Sequence, residues 1–201
     1  MILRFILIYA CLSVLFSLLS WGQPDTKVQV PGASPGLLLH PLKHLAFGVA
    51  AALPTRRLSP IVASGMAVLV IDVDHLGSAL NLPTTSHASH SLGFAAMLGV
   101  VMWGLARRGF LGGASPILVS AVAVASVSAR MAVDALSQDS RLPLWAPVTF
   151  TAVEIPPLSS IPFELGAVLL VWAVSIRYGR RPAQPPPGTT KPGPGPGCLR
   201  Q

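Results

Sequence analysis

Ile117-Leu118-Val119-Ser120-Ala121-Val122-Ala123-Val124-Ala125-Ser126-Val127-Ser128-Ala129-Arg130-Met131-Ala132-Val133 is a continuous apolar run of alanine, valine and serine, with a single charge near its end. Small side chains of this kind let helix backbones approach one another closely, so the run reads as a helix central to a bundle. Five other apolar stretches surround it: Ile2 to Trp21, Leu42 to Leu53, Ile61 to Val73, Leu92 to Leu105 and Ile161 to Ile176. They are too continuous for the alternating strands of a barrel, and in lipid only helices or closed barrels satisfy every backbone group. The expected fold is therefore all-α, a polytopic transmembrane bundle of five or six helices.

The composition agrees with this reading. Of 201 residues, 52% are hydrophobic and 10% charged, whereas about a quarter are charged in a soluble domain. A net charge of +7 invites a nucleic-acid partner, but the basic residues form short clusters beside apolar runs, which is a topology signal. No nucleic-acid partner is expected; the partner is the lipid bilayer. Cys11 lies in an apolar run and Cys198 in the final tail, which suggests neither a disulfide framework nor a thiolate site. The closing Cys198-Leu199-Arg200-Gln201 is no prenylation box, because Arg200 occupies a position that should be aliphatic.

Residues 1–22 are a transmembrane anchor or a signal peptide, with Arg4 near the start and Ser20 and Gly22 small enough to precede a cleavage site. Residues 36–177 form the membrane-embedded domain. Within it, Asp139 to Pro157 carries four prolines and reads as a loop. From 178 to 201 the chain is basic and rich in proline and glycine, a composition expected to be disordered.

Arg56 and Arg57, Arg107 and Arg108, and then Arg177, Arg180 and Arg181 each follow an apolar run. The positive-inside tendency makes those connectors cytoplasmic, together with the C-terminus. Alternate helix ends then fall on the outer face of a bacterial inner membrane. They carry His44, Asp72, Asp74, His75, His87, His90 and Asp134.

Ile71-Asp72-Val73-Asp74-His75 is the sharpest motif. Two carboxylates and an imidazole leaving an apolar run make a poor packing element and a good site for a hard or borderline metal ion. Asp72 and His75 share a helix face at i, i+3, and Asp74 joins them only if the helix ends here, which Gly77 favours. Thr85-Ser86-His87-Ala88-Ser89-His90-Ser91 follows, placing two histidines one turn apart, with serines available to cap the next helix. In Arg130-Met131-Ala132-Val133-Asp134 the two charged residues lie on one face at i, i+4, the spacing of an ion pair. Weaker candidates are His44 beside Lys43, Glu164 at the start of the last run, and His40.

This order of motifs resembles the membrane-bound metal-dependent hydrolases of the YdjM type. His44-Leu45-Ala46-Phe47-Gly48 is similar to that family's early histidine segment. Asp72, Asp74 and His75 match its Asp-x-Asp-His element, His90 and Ser91 the end of its third element, and Asp134 with Leu144-Trp145-Ala146-Pro147 the fourth. The likeness spans roughly residues 40 to 175. Three positions depart from it: Ile71 replaces a proline, while Thr85 and Arg130 stand where the family has histidines. Arginine keeps its proton and cannot ligate a metal, but it can clamp an anionic group.

The resemblance implies a hydrolase whose divalent ion, zinc, is held by Asp72, Asp74, His75, His90 and Asp134 with help from His44 or His87. Asp74 and Asp134 are the expected catalytic residues, and Arg130 would contact a lipid-linked or phosphoester substrate. The number of ions and the oligomeric state stay open. Two other readings are a non-enzymatic membrane protein with a structural or degenerate polar cluster, and a transporter. The second is disfavoured because the acids sit at helix ends and not at mid-bilayer.

Overall fold

The computed structural model describes residues 1–20, 39–71, 73, 87–136 and 141–178. Among them lie six α-helices: α1 (Ile2–Leu18), α2 (Leu39–Ala52), α3 (Leu58–Val70), α4 (Leu92–Arg107), α5 (Pro116–Leu136) and α6 (Ser160–Tyr178). The architecture is all-α, with one helix for each apolar run. The last helix continues through Tyr178, one residue into the stretch assigned to the tail. Asp72, Asp74, His75 and the Pro- and Gly-rich segment from 179 onward lie outside the described residues.

Helix boundaries follow local chemistry. Ser91 has extended backbone and its Oγ accepts a hydrogen bond from the Phe94 N–H at 3.1 Å, satisfying a donor that the first turn of α4 leaves open. The same helix ends at Gly109, with φ of +75°. There the Gly109 N–H reaches the Ala106 carbonyl at 3.0 Å and the Phe110 N–H the Leu105 carbonyl at 3.0 Å. That doubled bond is a Schellman closure, which favours glycine because a Cβ disfavours the left-handed conformation. Pro116 opens α5, where its missing N–H costs nothing.

Helix α5 is central, as its small residues led us to expect. It packs against α2, α3, α4 and α6, and Ala123, Ala125, Ser126, Val127 and Ala129 are fully buried. Ser126 Oγ lies 2.9 Å from Ser64 Oγ on α3 and donates to the Val122 carbonyl at 2.7 Å. Close approach recurs where α2 meets α3: a Cβ on Gly48 would lie 2.8 Å from the Ser64 carbonyl oxygen, so only glycine fits that crossing.

Helix α1 joins the core through its aromatic side chains. Phe16 and Phe94 stack edge to face at a centroid distance of 5.2 Å, and Tyr9 meets Phe94 at 5.8 Å. Ser13 Oγ donates to the Ile71 carbonyl at the end of α3. Between α5 and α6 the sequence suggested only a loop. The structure adds a short antiparallel ribbon there, β1 (Arg141–Leu142) with β2 (Val153–Glu154), in which Arg141 pairs with Glu154 and Leu142 with Val153.

Candidate functional site

The helix directions separate two ends of the molecule. At one end sit the starts of α1, α3 and α5, the α2–α3 turn and the α4–α5 connector; Arg4 Nη1 ties α1 to that connector by donating to the Phe110 carbonyl at 2.8 Å. Arg4, Arg56, Arg57, Arg107 and Arg108 are all exposed there. The opposite end gathers the beginnings of α2, α4 and α6 and the final turns of α3 and α5.

At that opposite end, His90 meets Asp134. The segment carrying His90 precedes α4, and Asp134 lies in the last turn of α5, so the antiparallel pairing of these helices brings the two together. His90 Nδ1 is 2.8 Å from Asp134 Oδ2. Arg130, one turn back on α5, places Nε 3.3 Å from the other carboxylate oxygen, which realises the i, i+4 pair read from the sequence. Neither contact has the alignment of a hydrogen bond, and the Arg130 contact is an ion pair. All three side chains are buried, His90 at 0%, Arg130 at 2% and Asp134 at 5% exposure. Burying charge in this way is tolerable only with a partner close by, which Asp134 supplies to Arg130.

His87 stands against His90, with ring centroids 4.8 Å apart and the rings nearly perpendicular. They do not follow one another on a helix as their spacing suggested. His87 has φ of +62°, in the left-handed region, and the His90 N–H closes a turn on the His87 carbonyl at 2.8 Å. A second connection holds this segment. The Leu92 N–H donates to the Leu144 carbonyl at 3.0 Å, and Gly93 lies so close to the Ala146 carbonyl that any Cβ would collide with it. The Leu144-to-Pro147 stretch therefore braces the His90 turn. Sequence reading attached Leu144 to Pro147 to the Asp134 element by resemblance, did not pair it with the His90 turn, and missed Gly93; a glycine in the first turn of a helix, where it disfavours helix, is the signal that was available.

The remaining candidates divide in two. His44 is fully buried near the start of α2, at the same end of the bundle. Glu164 sits early in α6 with both carboxylate oxygens buried and no hydrogen bond to any described residue. The side chains of Asp72, Asp74, His75 and His40 lie outside the described residues, although Ile71, which leads into the first three, is fully buried. Among the described residues, no three histidine, cysteine, aspartate or glutamate side chains are grouped to hold a metal ion.

Comparison with known protein families, with curated proteins and with solved structures yields no match.

Proposed function

We propose that the chain is a membrane-bound, metal-dependent hydrolase of the YdjM type, working at the outer end of its bundle on an ester or phosphoester presented by the membrane. The observation that carries the reading is the buried His90 imidazole with Nδ1 2.8 Å from the Asp134 carboxylate. A histidine that ligates a metal is commonly supported at its other nitrogen by a carboxylate, which fixes the ring and raises its basicity. The donor set fits a divalent ion in kind: His90 would ligate through Nε2, with His87 beside it, and Asp72, Asp74 and His75, which follow α3 in the sequence, are the further donors of the right type.

When bound, such an ion supplies a water acidified towards pKa about 7 and polarises the ester attacked. The protein's own part is positional. Asp134 orients His90 and neutralises Arg130, whose guanidinium has the chemistry to recognise an anionic substrate group. Asp74 is the carboxylate left to accept a proton.

Membrane residence is supported by which surfaces are apolar. In α6, Ile161, Leu165, Leu169, Trp172 and Ile176 are exposed, as are Leu3, Leu7 and Leu15 in α1. A belt of this extent needs a cover, and lipid is the cover that also explains the arginine-rich end. At that end Arg107 lies 4.8 Å from the Trp103 ring centre, the sort of cation and aromatic pairing suited to a membrane interface. We assign that end to the cytoplasm and the His90 end to the periplasmic face of a bacterial inner membrane.

The buried Arg130–Asp134 pair favours a second reading, in which the polar cluster only ties helices together and the protein is not an enzyme. Hydrolysis of a chromogenic phosphodiester by the detergent-purified chain separates the two. The hydrolase reading expects turnover that falls at least about a hundredfold in Asp74→Asn with helicity unchanged, in line with the loss of a catalytic proton acceptor. Equal rates in both proteins, or none above background across phosphoesters and carboxyl esters, would favour the structural cluster.

A further inference from the structure

Between α5 and α6, the connector from Leu142 to Val153 carries no ionisable side chain and turns apolar residues outward, with Trp145 58% and Val148 91% exposed. Its polar groups are satisfied within the loop. The Ala146 N–H donates to the Pro143 carbonyl at 3.0 Å, and the Val148 and Thr149 N–H groups to the Trp145 carbonyl at 2.9 and 3.3 Å. The Thr151 N–H reaches Thr149 Oγ1 at 3.2 Å, and the two threonine hydroxyls are 2.9 Å apart. Pro143 and Pro147 have no N–H to satisfy. A loop in water can leave such donors to solvent, whereas one that enters a membrane must satisfy them itself.

Apolar surface continues from this loop in both directions. Phe150 meets the Phe16 ring in the last turn of α1 at a centroid distance of 6.4 Å, and Leu15 and Leu19, which flank that turn, are exposed. Past Val153 the chain runs through exposed Leu158 to Ile161, where the outward apolar face of α6 begins. The cover that suits those two helices therefore suits the loop. The nearest charges in sequence, Arg141 and Glu154, stand opposite each other on the ribbon at its base.

We propose that residues 142–153 form an interfacial anchor seated among the lipid headgroups of the outer leaflet, with Trp145 and Val148 turned into the bilayer. Headgroup level is the fitting depth, because irregular backbone is not tolerated against hydrocarbon and the amphipathic tryptophan ring is favoured at the interface. The same loop braces the His90 turn through the Leu144 and Ala146 carbonyls. Its seat thereby sets the proposed site at the depth of an ester carried by a lipid headgroup. The inference rests on the membrane-embedded reading above, but not on metal binding or hydrolysis.

Fluorescence of the full chain in lipid nanodiscs, with a single tryptophan retained, tests it. One chain keeps Trp145 and carries Trp21→Phe, Trp103→Phe and Trp172→Phe; a second keeps Trp172 and carries Trp145→Phe instead. Trp145 should lose at least about half of its emission in brominated phosphatidylcholine, as expected of an indole at the membrane interface, and should be insensitive to iodide in solution. Val148→Asp, at an almost fully exposed side chain, should reverse both responses of Trp145 while circular dichroism stays unchanged. Quenching of Trp145 by iodide and not by brominated lipid puts the loop in water, and protection from both puts it against protein, such as a second copy of this chain. Either result overturns the proposal, as does a response indifferent to Val148→Asp. Trp172 on α6 distinguishes the failures: if brominated lipid quenches it, the anchor alone is refuted, and if not, the membrane reading falls with it.

Discussion

Helices α5 and α6 are neighbours in sequence and in space, they have nearly equal hydropathy, and they are the two described helices long and apolar enough to cross a membrane. Yet 72% of the apolar window in α5 is buried inside the protein against 22% in the span from Pro157 to Tyr178 that contains α6. Hydropathy thus separates lipid-compatible helices from others but does not say which one the protein wraps around itself. Residue size does. Alanine and serine line α5, where four helices close on it, while leucine, isoleucine and tryptophan project from α6. The polar residues divide the same way: α5 carries the paired Arg130 and Asp134, and α6 carries Glu164 and Ser175 with buried oxygens that make no hydrogen bond to described residues.

The contrast can be broken most severely in α5. Asp134→Ala removes the carboxylate beside the buried Arg130 guanidinium, and chemical denaturation in detergent should show a loss of about 3–5 kcal/mol. Replacing both partners, as in Arg130→Met with Asp134→Leu, should recover most of it. Recovery would show that the single substitution acts through an orphaned charge and not through lost packing.

Leu169→Lys examines the outward face of α6. A lysine facing hydrocarbon near the middle of a span costs about 2.5–3.5 kcal/mol, and the fraction of chain integrated into membranes should fall accordingly. On a water-facing surface the same change would shift stability by only about 0.5 kcal/mol, and that result would reassign the apolar belt to a protein partner.

The gentlest comparison uses serines. Ser126→Ala leaves Ser64 without its buried partner and should cost about 1 kcal/mol. Ser175→Ala in α6 removes a hydroxyl that makes no hydrogen bond to a described residue, so its melting temperature should match that of the parent protein.

The helices were legible because their apolar runs are long, and the Ser91 cap because a serine stands directly before one of them. The ribbon was not, since strands as short as Arg141–Leu142 and Val153–Glu154 leave no periodicity to read. At the site, the parity of helix crossings was enough to send His90 and Asp134 to one end, and i, i+4 spacing was enough to pair Arg130 with Asp134. That the His90 ring lies against Asp134, and that Gly93 admits the Ala146 carbonyl, depends on contacts between residues far apart in the chain, for which spacing carries no information. The sequence treated Asp134 as a metal ligand. In the structure one of its oxygens faces the Arg130 guanidinium and the other the His90 imidazole, a pairing that the sequence did not anticipate for His90.

Elemental analysis of the full chain, purified in detergent without chelators, addresses the proposed metal site most directly. At least one equivalent of divalent metal should accompany the parent protein and be lost in both Asp74→Asn and His90→Gln while the helical signal persists. A purified, folded protein with no stoichiometric metal, or with metal undiminished in the two variants, would contradict the assignment.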